Sequence, residues 1–465
     1  MMRSAPARAA IPALAAILLA ACGSLHDARI PSFDVSPSMP GRYVEAPGTG
    51  GRVLAADWWR GFGSPELAAL VDSALASNPD VLIAAEHITQ AEAQVRIAGA
   101  SLFPALSLSA DTSRRESRPP GGPWQGDNSS GLGLSASYEF DLWGGIAAGV
   151  RAAEWSLRAT RFDRETVRLT LVAGVANGYF QLLALRGRLI IARENLATAE
   201  RVLALVEARF RNGAVTPLDV ARQRSAVLGQ RASIPPLELQ ERQTLYALAI
   251  LTGQVPENFG AAGSPIEALE VPLVAPGIPT DLLVRRPDIA SAEAQLQSAN
   301  ANVETARAAL LPRISLTGSA GLASGVLLNV LNAPSAALSL GAGLAQPIFD
   351  GGRLRAQVTV AASRERELVE SYRKAILAAL ADVEGALAAG GRTAEQEILQ
   401  AQVVVEAREA LRIAEVRYRE GVDDLLTVLD AQRTLFSAQD QVAQVRLARL
   451  QASVALYKAL GGGWG

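Results

Sequence analysis

Leu132-Gly133-Leu134-Ser135-Ala136-Ser137-Tyr138-Glu139-Phe140-Asp141-Leu142 alternates apolar residues with small and polar ones. A period of two places one set on each face of a strand, apolar on one side and polar on the other. Leu338-Ser339-Leu340-Gly341-Ala342-Gly343-Leu344-Ala345 repeats the pattern, and shorter alternations follow two prolines, at Leu106, Leu108 and Ala110 and at Ile314, Leu316, Ala320 and Leu322. The chain therefore carries four strands of roughly ten residues, the length a tilted strand needs to cross a bilayer.

Ile314 to Phe349 has no charge, which also suits a transmembrane helix. Five glycines, Pro334, Pro347 and frequent hydroxyl residues argue against one, because a lipid-facing helix is apolar all round. A hairpin turning near Gly325 to Ser335 fits better, and the other loop, Ser113 to Ser130, is polar enough to face the external medium. Four strands cannot close a barrel, and an open sheet in lipid leaves backbone groups unpaired. Two copies would give eight strands and three would give twelve, and strand count alone leaves both open.

Outward from the strands the chain repeats itself. Phe103-Pro104-Ala105-Leu106-Ser107-Leu108-Ser109 matches Leu311-Pro312-Arg313-Ile314-Ser315-Leu316-Thr317, and Arg211-Asn212-Gly213 matches Arg419-Glu420-Gly421, each 208 residues on. Phe140-Asp141 with Gly144-Gly145 likewise matches Phe349-Asp350-Gly351-Gly352. Two copies of one unit make up the mature chain. With no proline from Gln125 to Thr216, Ile146 to Asn212 can run as one helix of 67 residues, about 100 Å at the standard rise. Leu196, Ala199, Leu203, Val206 and Phe210 are spaced as a coiled-coil seam, as are Val404, Ala407, Leu411, Ala414 and Tyr418. The returning arm opens on Leu218, Ala221, Ser225, Leu228 and Ala232. Helical hairpins thus turn at Asn212-Gly213 and Glu420-Gly421, where glycine permits the positive φ of a helix stop. Gly174, Gly178, Gly187, Gly385, Gly390 and Gly391 predict a bend or loosening midway.

Of 465 residues, 44 are basic and 46 acidic, a net charge of -2 with no long-range field to attract nucleic acid. One cysteine permits no intrachain disulfide, and His26 and His87 are too few for a His-rich metal site, so neither metal nor cofactor is expected. No G-x-S-x-G, phosphate-loop or H-E-x-x-H pattern supports an enzyme. Met1 to Arg8 carries two arginines and no acid, and Ala9 to Ala21 is an apolar run of 13 residues, too short to span a bilayer. It reads as a signal peptide, and Leu19-Ala20-Ala21-Cys22-Gly23 resembles a bacterial lipoprotein cleavage box, with Cys22 the lipid attachment site. Gly23 in place of Asp favours sorting to the outer membrane. The expected organisation is a signal peptide at 1–21, a lipid-anchored tether at 22–57, a first repeat at 58–253, a linker at 254–281 and a second repeat at 282–465. The repeats hold strand hairpins at about 102–143 and 312–349 and helical tips near 213 and 421.

Four stretches carry a family resemblance: Trp58-Trp59 with Phe62; Asn78-Pro79-Asp80; Leu282-Leu283-Val284-Arg285-Arg286-Pro287-Asp288-Ile289; and Pro347-Ile348-Phe349-Asp350-Gly351-Gly352-Arg353. The chain resembles the outer membrane factors of tripartite efflux pumps and type I secretion, the TolC-like family. Within it, the match is to the lipoprotein branch attached to resistance-nodulation-division systems. The resemblance implies an α+β membrane channel, a homotrimer with a 12-stranded outer membrane β-barrel and a 12-helix periplasmic tunnel. It implies a passive conduit carrying drugs or other toxic small molecules from a periplasmic adaptor and a proton-driven inner membrane transporter to the exterior. A type I protein secretion channel is the alternative, and a structural lipoprotein without a pore is a second, although that would need no alternating strands.

By the same resemblance the periplasmic gate falls to Asp219, Tyr418, Asp423, Asp424 and Asp430, with Tyr418 bonding Asp219. Asp423 stands where the best-known member has a gate arginine and Thr427 where it has a ring aspartate, so the latch differs in detail. Adjacent Asp423 and Asp424 crowd like charge near the trimer axis unless Arg417 or Arg419 neutralises it. The tips expected to meet the adaptor are Asn212, Gly213, Ala214 and Val215, with Glu420, Gly421 and Val422. Each gate residue has a plainer reading: Tyr418 as seam packing, Asp219 as a helix cap, and Asp430 as a solvated face residue. If Asp430 lines the pore, Asp430→Asn should weaken cation selectivity in single-channel recordings, and unchanged selectivity and conductance would remove it from the pore.

Overall fold

The structure is a computed structural model that describes residues 39–46, 55–332 and 334–463. Cys22, the signal peptide and most of the tether lie outside the described residues. The helices are α1 (Pro65–Ser77), α2 (Pro79–Ala100), α3 (Gly145–Arg211), α4 (Pro217–Leu251), α5 (Pro287–Ala308), α6 (Arg353–Arg419) and α7 (Leu425–Ala459). Strands β1 (Ala105–Ser117) and β2 (Gln125–Phe140) separate α2 from α3, and β3 (Arg313–Ser324) and β4 (Ser335–Ala345) separate α5 from α6. Helices α2 and α5 have 22 residues each, α3 and α6 have 67, and α4 and α7 have 35. The sequence repeat is thus a repeat of elements, length for length in these helices.

The strands form one antiparallel sheet in the order β1-β2-β3-β4. Its register aligns Leu108, Leu134, Ala320 and Leu338 on one face, and on the other a row of hydroxyls: Ser107, Ser135, Ser319 and Ser339. Within that row Ser107 meets Ser135 at 2.7 Å and Ser319 meets Ser339 at 2.7 Å. The apolar face is bare in a single chain, with Leu340 91% exposed. The first hairpin is longer and its loop shorter than expected, only 118–124. Arg114 pairs with Asn128 and Glu116 with Gly126, so the ladder continues past the apolar band. Charge ends the lipid-facing part of a strand and leaves the strand itself intact, because outside the hydrocarbon the side chains meet water.

Where the sheet hands over to helices, the two Phe-Asp repeats explain themselves. Asp141 accepts from the backbone N–H groups of Ile146 (3.0 Å) and Ala147 (2.7 Å), and Asp350 from those of Gly352 and Leu354 (2.9 Å each). A carboxylate there satisfies orphan donors and complements the dipole of the long helix that follows. On the barrel side the helices lie side by side in the order α2-α3-α5-α6, and on the tip side α3 packs against α4 and α7, and α7 against α6.

Both 67-residue helices run unbroken through their glycines. Gly178 serves packing: a Cβ there would come within 2.9 Å of Leu248. Gly187, Gly385, Gly390 and Gly391 have open space instead, and a helical glycine lowers stability without breaking the hydrogen-bond ladder. The expected seam holds in α6, where Ala407, Leu411, Ala414 and Tyr418 are buried and Val404 is half-buried against the same cluster. It shifts elsewhere. In α3 the buried stripe runs Ala192, Asn195, Ala199, Val202 and Val206, because this helix faces both α4 and α7. In α4 it is Val220, Gln223 and Val227 that turn inward, leaving Leu218 55% and Leu228 61% exposed.

A group of aromatic residues gathers where the linker and α1 cross the long helices. Trp58 stacks on Tyr457 at 4.8 Å, and Phe62 meets Phe180 at 4.9 Å. The tether enters the same core through Tyr43, while Glu384 accepts the N–H groups of Val44 (2.7 Å) and Glu45 (3.1 Å). Burial, and then the nearby carboxylates of Asp281 and Glu384, push the Tyr43 phenol up to about 12. At the start of the second repeat, Arg286 binds Asp288 (2.7 Å), Asp382 (3.0 Å) and the carbonyl of Ala459 (3.2 Å). Just beyond α7, Gly461 (φ 93°) passes so close to the segment before α5 that a Cβ would lie 2.0 Å from the carbonyl oxygen of Arg285. Gly461→Ala should therefore cost about 2 kcal/mol or more, from strain plus overlap, read as a lower unfolding temperature of the purified protein.

Candidate functional site

The two helical tips share a backbone and differ in side chains. At the first, Gly213 turns the chain at φ 74° and the Ala214 N–H returns to the carbonyl of Arg209 at 2.9 Å. At the second, Gly421 does so at φ 77° and the Val422 N–H returns to Arg417 at 2.9 Å. Both are glycine C-caps that satisfy the last carbonyls of a long helix. Asn212 adds a side-chain bond to the Ala208 carbonyl at 3.1 Å. Val215 packs on the apolar cluster beneath the tips, whereas Val422 is exposed.

Each return helix begins with an acid–hydroxyl pair, in opposite order. Thr216 caps α4, accepting from the Asp219 N–H at 3.3 Å while the Asp219 carboxylate takes the Thr216 N–H (2.9 Å) and hydroxyl (2.8 Å). In α7 the acid is the cap: Asp424 accepts from the Thr427 N–H (3.1 Å) and hydroxyl (3.0 Å). Positions 216 and 424, and likewise 219 and 427, are repeat equivalents. Thr427 thus stands opposite Asp219, and the acid has moved to the capping position.

These bonds set the electrostatics. The backbone and hydroxyl donors of Thr216 hold the Asp219 carboxyl below its usual range. Asp423 is gripped by Arg417 through two bonds, 2.7 and 3.0 Å, which lowers its carboxyl in turn and raises the guanidinium. The neutralisation that adjacent Asp423 and Asp424 require is therefore present within the second hairpin, from Arg417. Glu420 closes α6 with its backbone N–H on the Val416 carbonyl at 3.0 Å.

Tyr418 is 2% exposed in a cluster with Val206, Val220, Leu411, Leu425 and Val428. Its hydroxyl is buried without a hydrogen-bond partner among the described residues, and burial raises its pKa. The structure does not join Tyr418 to Asp219, whose carboxylate is taken by Thr216. Tyr418 is held instead by a residue that sequence reasoning passed over: Arg209 of the first hairpin stacks 4.7 Å above its ring and donates to its backbone carbonyl. Arg209 was legible in principle as the repeat counterpart of Arg417. Asp430 lies on an exposed face of α7, paired with Arg433 at 2.7 Å. It borders a groove of about 860 Å³ lined by α3, α4 and α7. Arg188 of α3 and Asp440 of α7 both line this groove and bind each other at 2.6 and 3.2 Å. Among the described residues no group of three or more His, Cys, Asp or Glu is placed to hold a metal ion.

The profile of the outer membrane efflux protein family matches residues 70–254 and 278–462, one match per repeat. The chain belongs to the outer membrane efflux protein family. It is 46% identical over 461 residues to the pyoverdine export outer membrane protein OpmQ of Pseudomonas aeruginosa, covering 97% of this chain and 96% of that one. It is 34% identical to the toluene efflux pump outer membrane protein TtgI of Pseudomonas putida, covering 98% of each. Among solved structures it is similar to the outer-membrane channel OprN (TM-score 0.87, 29% identity, 93% of this chain and 99% of that one). It is also similar to the open state of the Neisseria gonorrhoeae MtrE outer membrane channel (TM-score 0.82, 29% identity, 92% and 96%). This efflux protein is therefore an outer membrane component of an export system, with a TolC-like fold whose helices reach away from the sheet into the periplasm.

In the efflux protein the depressed carboxyls of Asp219 and Asp423 stabilise the tips fully above the ordinary carboxylate range, and that stabilisation is lost as pH falls through their lowered values. Amide protection factors, exchange corrected for its intrinsic pH dependence, should therefore fall in residues 212–219 and 417–427 below about pH 4, and Asp423→Asn should flatten this dependence in the second tip only.

Proposed function

We propose that three copies of this chain close a 12-stranded barrel and a continuous helical tunnel, a passive conduit rather than an enzyme. The observation that carries this reading is the open four-stranded sheet with a bare apolar face. Edge strands β1 and β4 present unpaired backbone groups that lipid cannot satisfy. Pairing β4 of one copy with β1 of the next is a head-to-tail contact that ends only when the ring closes. Helices α2 and α6 flank the barrel-side layer on the same two edges, so one rotation joins sheet and helices together. Leu82, Ile83 and Ile97 on α2 and Val360 and Leu377 on α6 supply exposed apolar surface for that contact.

The conduit receives cargo through a periplasmic adaptor and a proton-driven inner membrane transporter, with the adaptor meeting residues 212–215 and 420–422. Lipid on Cys22 holds the chain to the membrane as its one covalent attachment, and no cofactor takes part. Relatives are named for pyoverdine export and for toluene efflux; at 46% identity the former makes pyoverdine the cargo to test first, ahead of solvents and drugs. Acylated protein from the outer membrane should run as a heat-resistant trimer on gels and conduct in planar bilayers. A monomer with no conductance would sink this reading.

A further inference from the structure

We infer that Arg209 is a positioning residue for the gate: it fastens the first hairpin of each protomer to the second and so holds the conduit closed. This rests on reading the chain as a channel. The repeat isolates what is special about it. Arg209 and Arg417 are equivalent, one in each long helix, two residues before the Arg-x-Gly turn. Arg417 has a partner in its own hairpin, Asp423. The position equivalent to Asp423 in the first hairpin is Val215, which offers no charge and packs against the apolar cluster.

Arg209 therefore crosses to the other hairpin. Its guanidinium lies over the Tyr418 ring, its Nη1 donates to the Tyr418 carbonyl, and its Nη2 lies 3.7 Å from where a Cβ on Gly421 would stand. A planar cation can satisfy an aromatic face and a carbonyl at once. The ring beneath it is fixed on every other side, 2% exposed among α3, α4, α6 and α7, with its hydroxyl unpartnered among the described residues. Tyr418 thus cannot move outward without leaving Arg209. Any widening of the periplasmic end that separates the two hairpins of a protomer must break this contact.

Four variants test it, each in the full-length acylated trimer: Arg209→Met, Arg209→Lys, Val215→Asp and the double Arg209→Met/Val215→Asp. Arg242→Met, on α4 and away from the tips, is the control. Losing one cation–π contact and one charged hydrogen bond should raise the open fraction about tenfold, read as conductance in planar bilayers with trimer heat resistance unchanged. Arg209→Lys, which keeps a cation over the ring, should stay nearer wild type than Arg209→Met. Val215→Asp gives Arg209 a local carboxylate like the one Arg417 has, and should open the channel although Arg209 is intact. The double variant should then leak no more than Arg209→Met alone. Wild-type conductance from heat-resistant trimers of Arg209→Met overturns the latch, as does additive leakage in the double variant. Absence of trimers and conductance from the wild-type chain itself speaks instead against the channel.

Discussion

A backbone N–H or C=O in hydrocarbon has no water to turn to, and four strands always leave two edges of them. That deficit makes one chain of this protein incomplete. Sequence supplies the two faces of the sheet, Leu134 toward lipid and Ser135 away from it, but no alternation of side chains can pair the outer edges of β1 and β4. The same edges continue downward as helices α2 and α6, so the contact that completes the sheet also aligns the long helices. Barrel and tunnel are in this sense one closure, carried across the sheet-to-helix junction by Asp141 and Asp350.

The middle of the molecule holds those helices to a common level. Tyr43, Trp58, Phe62 and Arg286 come from segments with little regular structure, yet they lock into α3, α6 and α7 where the two repeats meet. Away from this belt the hairpins lean on narrower stripes of alanine, valine and leucine. Stability is thereby concentrated in the middle, and the tips are free to be governed by a handful of polar contacts.

Much of this fold was legible in residue order. Alternation revealed the strands because lipid on one side and water on the other impose a period of two, and the absence of proline allowed the two 67-residue helices, although α4 runs on through Pro235 and Pro236. Leu218 and Leu228 misled because coiled-coil spacing shows that a stripe exists without saying which neighbour covers it; within the protomer α4 turns Val220, Gln223 and Val227 inward instead. The sequence alone places Arg114 and Glu116 in a loop because charge marks where lipid ends, while the ladder between β1 and β2 runs on. At the tips, family matching assigned Tyr418 to Asp219, but side-chain partners depend on which donor is nearest in space, and Thr216 reaches Asp219 first. Arg209 carried no motif of its own. Only the comparison of the repeats, with Val215 where Asp423 stands in the other, shows why it must look elsewhere for a partner.

The row formed by Ser107, Ser135, Ser319 and Ser339 has a consequence for whatever travels past it. A serine hydroxyl can rotate to present either its proton or its lone pairs, so the wall at that level can answer a donor or an acceptor with a small torsional adjustment. No fixed charge stands in the row to deepen one encounter over another. A molecule moving along such a surface exchanges one weak partner for the next on nearly level ground, and a wall that grips nothing firmly lets chemically dissimilar solutes leave at comparable speed.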